Sequence, residues 1–104
     1  MSEKEIKEKI LEIIQKDFQD LSVEFDFSLN RLGWQGSFMN ISIYIHKDEE
    51  PKLFIMVVGK TTPAHKEYIR SINEIKERNY KVIIFKKYLP IKEDYIVDRL
   101  HYYL

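Results

Sequence analysis

Leu53-Phe54-Ile55-Met56-Val57-Val58-Gly59-Lys60-Thr61-Thr62-Pro63 is the stretch that decides the fold. Its first six residues are all apolar and never alternate with polar ones, the pattern of a strand covered on both faces. Thr62 and Pro63 then mark a helix start, a threonine N-cap followed by proline at the first helical position. Tyr68, Ile69, Ile72 and Ile75 supply the buried stripe of that helix, and Asn79 is a left-handed stop. A second wholly apolar segment follows at 82–85 (Val82, Ile83, Ile84, Phe85). Strand, helix and strand in this order predict a parallel pair joined by a right-handed crossover.

Working outward, Ser2 and Glu5 form a capping-box pattern ahead of Ile6, Ile10, Ile13, Ile14 and Phe18 at helical spacing, which predicts a first helix over 3–19. Val23, Phe25, Phe27 and Leu29 alternate with polar residues and predict a half-buried strand. Residues 30–36 carry two glycines and read as a hairpin loop. Met39, Ile41, Ile43 and Ile45 alternate with Asn40, Ser42, Tyr44 and His46 to give a second strand, and 47–51 is a charged turn. Beyond Pro90, the residues Ile91, Tyr95, Ile96, Leu100 and Tyr103 keep helical spacing. The expected class is α/β in the order α-β-β-β-α-β-α, with a four-stranded mixed sheet flanked by helices. No linker, low-complexity tract or repeat divides the chain, so residues 1–104 are expected to form a single domain.

Seventeen basic and seventeen acidic side chains cancel among the 104 residues, which excludes a polycationic arm as the route to nucleic acid. With 44% apolar residues the chain is no acidic disordered segment either. It has no cysteine, hence no disulfide, thiolate metal site or thiol nucleophile. A charged start and the lack of a long apolar run predict a soluble cytoplasmic protein with no membrane partner. Fifteen isoleucines beside 33% charged residues lean towards a thermophile's composition, and an AT-rich genome gives the same bias. The zero balance conceals an uneven spread. Residues 1–50 hold 6 basic and 11 acidic side chains, net −5, whereas residues 60–92 hold 9 basic and 3 acidic, net +6. The basic part suits either phosphate or the acidic part of a second copy.

The order α-β-β-β-α-β, together with two segments, resembles the PD-(D/E)xK nuclease superfamily, which includes archaeal Holliday-junction resolvases and restriction endonucleases. The first segment, from Gly36 to His46, is similar to the family's Gly-x-x-Pro-Asp-hydrophobic strand. The second, from Leu53 to Thr62, is similar to its hydrophobic-Glu-x-Lys-Thr strand end. The resemblance implies a restriction-endonuclease-like fold in which two carboxylates hold Mg²⁺ and a lysine assists the attack on phosphate. Met39-Asn40 stands where the family has Pro-Asp, and Val58-Gly59-Lys60 stands where it has Glu-x-Lys. Asn40 is neutral, Val58 offers no ligand and Lys60 alone survives. The resemblance therefore implies a degenerate site with no catalytic residue, no metal and no cofactor.

Carboxylates elsewhere are candidate replacements. Glu5, Glu8 and Glu12 on the first helix, and Asp48, Glu49 and Glu50 in the charged turn, read first as solvated surface. His46, His65 and His101 lack any zinc-ligand spacing. Three functions follow as expectations. The first is an inactive nuclease-fold protein that binds DNA or RNA as an accessory subunit. Lys60, Lys66 and Arg70 would hold backbone phosphate, and Trp34 would either stack on a base or fold back as a core residue. The second is a dimerisation or protein-interaction module, with the tyrosine-rich last helix as an interface or docked on its own sheet. The third is a metal-dependent nuclease with relocated carboxylates.

Overall fold

The computed structural model describes residues 1–59 and 66–104. Its elements are α1 (Glu3–Asp17), β1 (Ser22–Phe27), a 3₁₀ turn (Leu29–Leu32), β2 (Ile41–Lys47), β3 (Glu50–Val58), α2 (Lys66–Glu77), β4 (Val82–Lys86) and α3 (Glu93–Tyr103). This is an α/β chain with three helices and one four-stranded mixed sheet of order β1-β2-β3-β4. The first three strands form an antiparallel meander. β4 joins β3 in parallel, in register from Phe54↔Val82 to Val58↔Lys86. The crossover between them runs through α2, as the apolar runs at 53–58 and 82–85 led us to expect. The Thr62-Pro63 helix start lies outside the described residues.

The sheet is covered on both faces, and β3 shows why its sequence does not alternate. Leu53, Ile55 and Val57 enter one core with Ile6, Ile10, Ile13 and Ile14 of α1 and Ile96 and Leu100 of α3. Phe54, Met56 and Val58 enter the other with Leu29, Trp34 and Ile72 and Ile75 of α2. Side chains of a strand point to opposite faces in turn, so two covered faces demand apolar residues at every position. At the N-terminus of α1 the capping box is complete. Ser2 Oγ accepts the Glu5 N–H and Glu5 Oε1 accepts the Ser2 N–H, each at 3.1 Å. Asn79 is the left-handed stop expected, with φ +65°.

Three expectations fail for physical reasons. Phe27 and Leu29 do not share a face with Val23. Asp26 sits at φ +51°, a left-handed conformation that rolls the chain over and stacks the Phe27 ring on Tyr44 with centroids 4.0 Å apart. Tyr44, counted on the polar side of its strand, is only 2% exposed because the 3₁₀ turn and α2 cover that side. Ile69, placed in the buried stripe, is 45% exposed, and Ser71 takes an inward position instead. No described helix is long and apolar enough to cross a membrane.

Candidate nucleic-acid interface

Parallel strands bring their carboxyl ends together, the place where open α/β sheets hold ligands. Here the Lys87 N–H donates to the Val58 carbonyl at 2.9 Å, extending the ladder by one residue. The Lys87 side chain lies against Gly59, where a Cβ would stand 3.3 Å from its Cε. β2 runs antiparallel to β3, so Asn40, just ahead of β2, reaches the same end of the sheet. α2 is fastened there by a buried serine. Ser71 Oγ accepts the Met39 N–H at 2.9 Å, while its own hydroxyl donates to the Glu67 carbonyl at 2.7 Å. That tie holds the first turns of α2, with exposed Lys66 and Arg70, beside Asn40.

Asn40, Val58, Lys66 and Arg70 therefore gather at one end of the sheet, joined by Lys86 and Lys87. The surviving motif residue Lys60 lies outside the described residues. Lys66, Arg70, Lys86 and Lys87 are all exposed, and among the described residues none of them forms an ion pair. Glu67 is the acidic residue on the same turn of α2. Three of the four lysines of α1 behave differently. Lys4 meets Glu8 at 4.0 Å, Lys7 meets Glu3 and Asp26 at 3.2 Å each, and Lys9 meets Glu12 at 3.5 Å and Glu93 at 3.4 Å. These three are locally neutralised, whereas Lys16 of α1 and the cations at the carboxyl end of β3 and β4 have no ion pair among the described residues. Such a group of unneutralised cations attracts polyanions over about a Debye length, roughly 8–10 Å at physiological salt.

The relocated carboxylates do not converge on this end. Glu5 serves the helix cap, and the backbone N–H of Ser2 holds its carboxyl below the usual value. Glu8 and Glu12 are engaged by α1 lysines. Asp48 and Glu49 build the β2–β3 turn with φ +49° and +67°, at the opposite end of β3, and Glu50 pairs with Lys52 at 3.5 Å. Among the described residues no group of three or more His, Asp or Glu side chains is placed to hold a metal ion. His46 lies 2.9 Å from Glu24 and His101 lies 3.1 Å from Asp17. His65 is outside the described residues.

Of the two places expected for Trp34, the structure shows the second, folded back as a core residue. It is 6% exposed, packed near Phe54 and Tyr80, with the Arg78 guanidinium 4.4 Å from its ring centroid. Gly33, at φ +83°, turns the chain so that the indole covers the sheet face instead of projecting from the loop. Lys86 and Lys87 count toward the basic part of the sequence, but their place at this sheet end was not read from it. A signal existed, since both follow directly on the apolar 82–85 segment, where a parallel strand ends.

A partly buried polar cluster escaped the sequence as well. Glu24, Tyr44 and His46 face the same side of the β1–β2 pair, and Glu24 binds Arg31 of the 3₁₀ turn at 2.8 Å. Tyr44 lies in a stack between Phe27 and His46, its hydroxyl sealed without a hydrogen-bond partner among the described residues. Burial, reinforced by the Glu24 carboxylate, pushes its phenol up to about 12. Compared with protein-family models, with curated proteins and with solved structures, the chain matches none.

Proposed function

We propose that this chain is a catalytically inactive protein of restriction-endonuclease-like fold that holds nucleic acid by its backbone phosphates, as an accessory subunit. The observation that carries the reading is the group Lys66, Arg70, Lys86 and Lys87, exposed at one sheet end without an ion pair among the described residues. Phosphate contacts by lysine and arginine supply affinity without sequence discrimination, and four of them suit a protein that positions a strand or junction. The family part of the reading is supported by the meander β1-β2-β3 with β4 parallel to β3, and by Asn40 and Val58 lying at the same end of the sheet. Neutral Asn40 and apolar Val58 in place of acids leave no means of binding the catalytic metal.

The test is a titration against labelled duplex, single-stranded and four-way-junction DNA at two salt concentrations, with Mg²⁺ and with EDTA, followed by a denaturing gel. Binding that weakens with salt and leaves the DNA intact is the expected result. Absence of binding at low salt overturns the reading and favours a protein-interaction module. Cleavage in Mg²⁺ overturns the inactive assignment.

A further inference from the structure

We propose that a second copy of this chain docks along β4 and α3, with β4 pairing antiparallel to itself about a two-fold axis through Ile84. The proposal is independent of the nucleic-acid reading and begins from the contrast between the two edges of the sheet. An open edge presents unpaired N–H and C=O groups, and proteins guard such edges with charge, twist or a cover. β1 is guarded. It carries Glu24 and Asp26, it twists at the left-handed Asp26, and Arg31 and Lys7 pair with those carboxylates at 2.8 and 3.2 Å. β4 has none of this. Its sequence is Val82-Ile83-Ile84-Phe85-Lys86, with no proline, no positive φ and one charge at its end. Among the described residues it pairs on one side alone.

The hydrogen-bond parity of β4 singles out the centre. The Lys81 carbonyl accepts the Phe54 N–H at 3.1 Å, and the Lys87 N–H donates to the Val58 carbonyl at 2.9 Å. Odd-numbered residues therefore face β3, and the backbone groups of Val82, Ile84 and Lys86 face the open edge. Ile84 is the middle residue. Two copies related through it exchange both of its hydrogen bonds and set Val82 against Lys86 at each flank.

α3 carries a surface that matches the same axis. It runs back over β4, since Tyr95 meets Phe85 edge-on at 6.0 Å and the Lys81 ammonium lies 5.7 Å from the Tyr103 ring. Tyr95 and Tyr102 are two turns apart on one stripe, 50% and 75% exposed, with exposed Leu89 nearby. An apolar cleft of about 330 Å³ lies between Ile84, Leu89, Pro90, Ile91 and Tyr95. Asp98 and Arg99 sit midway between the two tyrosines. Antiparallel helices related about that point bring the tyrosine stripes of the two copies face to face. The Arg99 guanidinium is held over the Tyr102 and Tyr103 rings of its own helix and donates to the Tyr103 hydroxyl at 2.8 Å, which braces that stripe. A second copy is the occupant that supplies at once a matching strand edge and a matching tyrosine stripe.

Sedimentation equilibrium of the full chain over a wide dilution series tests this, together with hydrogen exchange read at the Ile84 amide. A concentration-dependent dimer with a protected Ile84 amide is expected. Tyr102→Glu and Tyr95→Glu, both at exposed positions of the stripe, should each shift the equilibrium to monomer at unchanged circular dichroism and release the Ile84 amide. A monomer at every concentration overturns the proposal. So does a dimer that survives both substitutions, or one in which the Ile84 amide exchanges freely. The wild-type exchange measurement decides the matter even where a variant does not fold.

Discussion

The hydroxyl of Ser42 accepts the backbone N–H of Val57 at 2.9 Å in a buried position, in place of a strand-to-strand bond. The β2–β3 ladder shifts register between Ile45 and His46, pairs on to Ile43↔Ile55, and at Ser42 the side chain takes over. This frees the first residues of β2 to follow β1 as it rolls at Asp26. Ile41 thereby joins the core beneath α2, although Ile43 and Ile45 face α1 and α3. The same departure brings Asn40 out at the sheet end, beside α2.

Replacing Ser42 by alanine leaves the Val57 N–H buried without a partner. A stranded buried donor costs about 1–3 kcal/mol, well above the net value of an average hydrogen bond. We expect Ser42→Ala to lower the urea midpoint accordingly at unchanged m. A midpoint equal to the wild type would show that β2 and β3 reclose without the hydroxyl.

Tyr44 gives a pH test. Its phenol rises from the ordinary 10.0 to about 12 in the folded chain, chiefly through burial. A raised folded pKa means stability that is fully present below about 10 and lost as pH climbs through about 12, since the unfolded chain ionises first. Tyr44→Phe removes that group's share of the alkaline loss. At neutral pH it removes a buried hydroxyl with no partner, so stability should stay level or rise by about 1 kcal/mol. Thermal melts of both proteins from pH 7 to the alkaline limit read the difference. A marked loss for Tyr44→Phe at pH 7 would reveal a hydrogen bond to that hydroxyl.

Trp34 is the single tryptophan, which makes it a clean probe. Buried beside Phe54, Tyr80 and Arg78, it should emit at short wavelength, resist acrylamide, and keep its spectrum when DNA is added. Trp34→Ala should cost about 3–5 kcal/mol, the range for emptying a large aromatic site. Quenching on DNA addition would return Trp34 to the interface.

These tests follow the line between what the sequence expresses and what it does not. Element order, the doubly covered β3, the capping box and the Asn79 stop are legible because each rests on local periodicity or one backbone conformation. Tyr44 and Trp34 were not legible, since their burial depends on a 3₁₀ turn packing over the sheet from an apparently plain hairpin loop. The roll at Asp26 is hidden for a related reason. Val23, Phe25, Phe27 and Leu29 alternate without a break, and nothing in that spacing announces a left-handed residue. At the candidate site, charge counting located the basic region, but grouping Lys86 and Lys87 with Lys66 and Arg70 required the parallel register of β3 and β4.

The basic group makes a quantitative prediction. Each cation that contacts a phosphate contributes about 0.9 to the slope of log K against log salt on duplex DNA. Lys86→Ala with Lys87→Ala should therefore flatten the slope by about 1.8 if both touch phosphate. Stability should change little, because both side chains are exposed and lack ion pairs among the described residues. An unchanged slope would place the phosphate contacts elsewhere.

The nuclease-fold reading is tested most directly by putting the acids back. Asn40→Asp together with Val58→Glu places two carboxylates at the sheet end where both positions lie. Val58 is 8% exposed and part of the core beneath α2, so its replacement by an ionised glutamate lowers stability on its own. A bound divalent cation relieves that penalty and stabilises the folded state in proportion to its occupancy. The expected pattern is a double variant that melts below the wild type in EDTA and recovers in Mn²⁺, with calorimetric Mn²⁺ binding, whereas the wild type responds to neither. Val58→Glu alone should fall in EDTA without recovering, because one carboxylate holds the metal weakly. A folded double variant indifferent to Mn²⁺ would mean that Asn40 and Val58 are not the family's ligand positions. The phosphate-binding reading of Lys66, Arg70, Lys86 and Lys87 would then stand on charge alone.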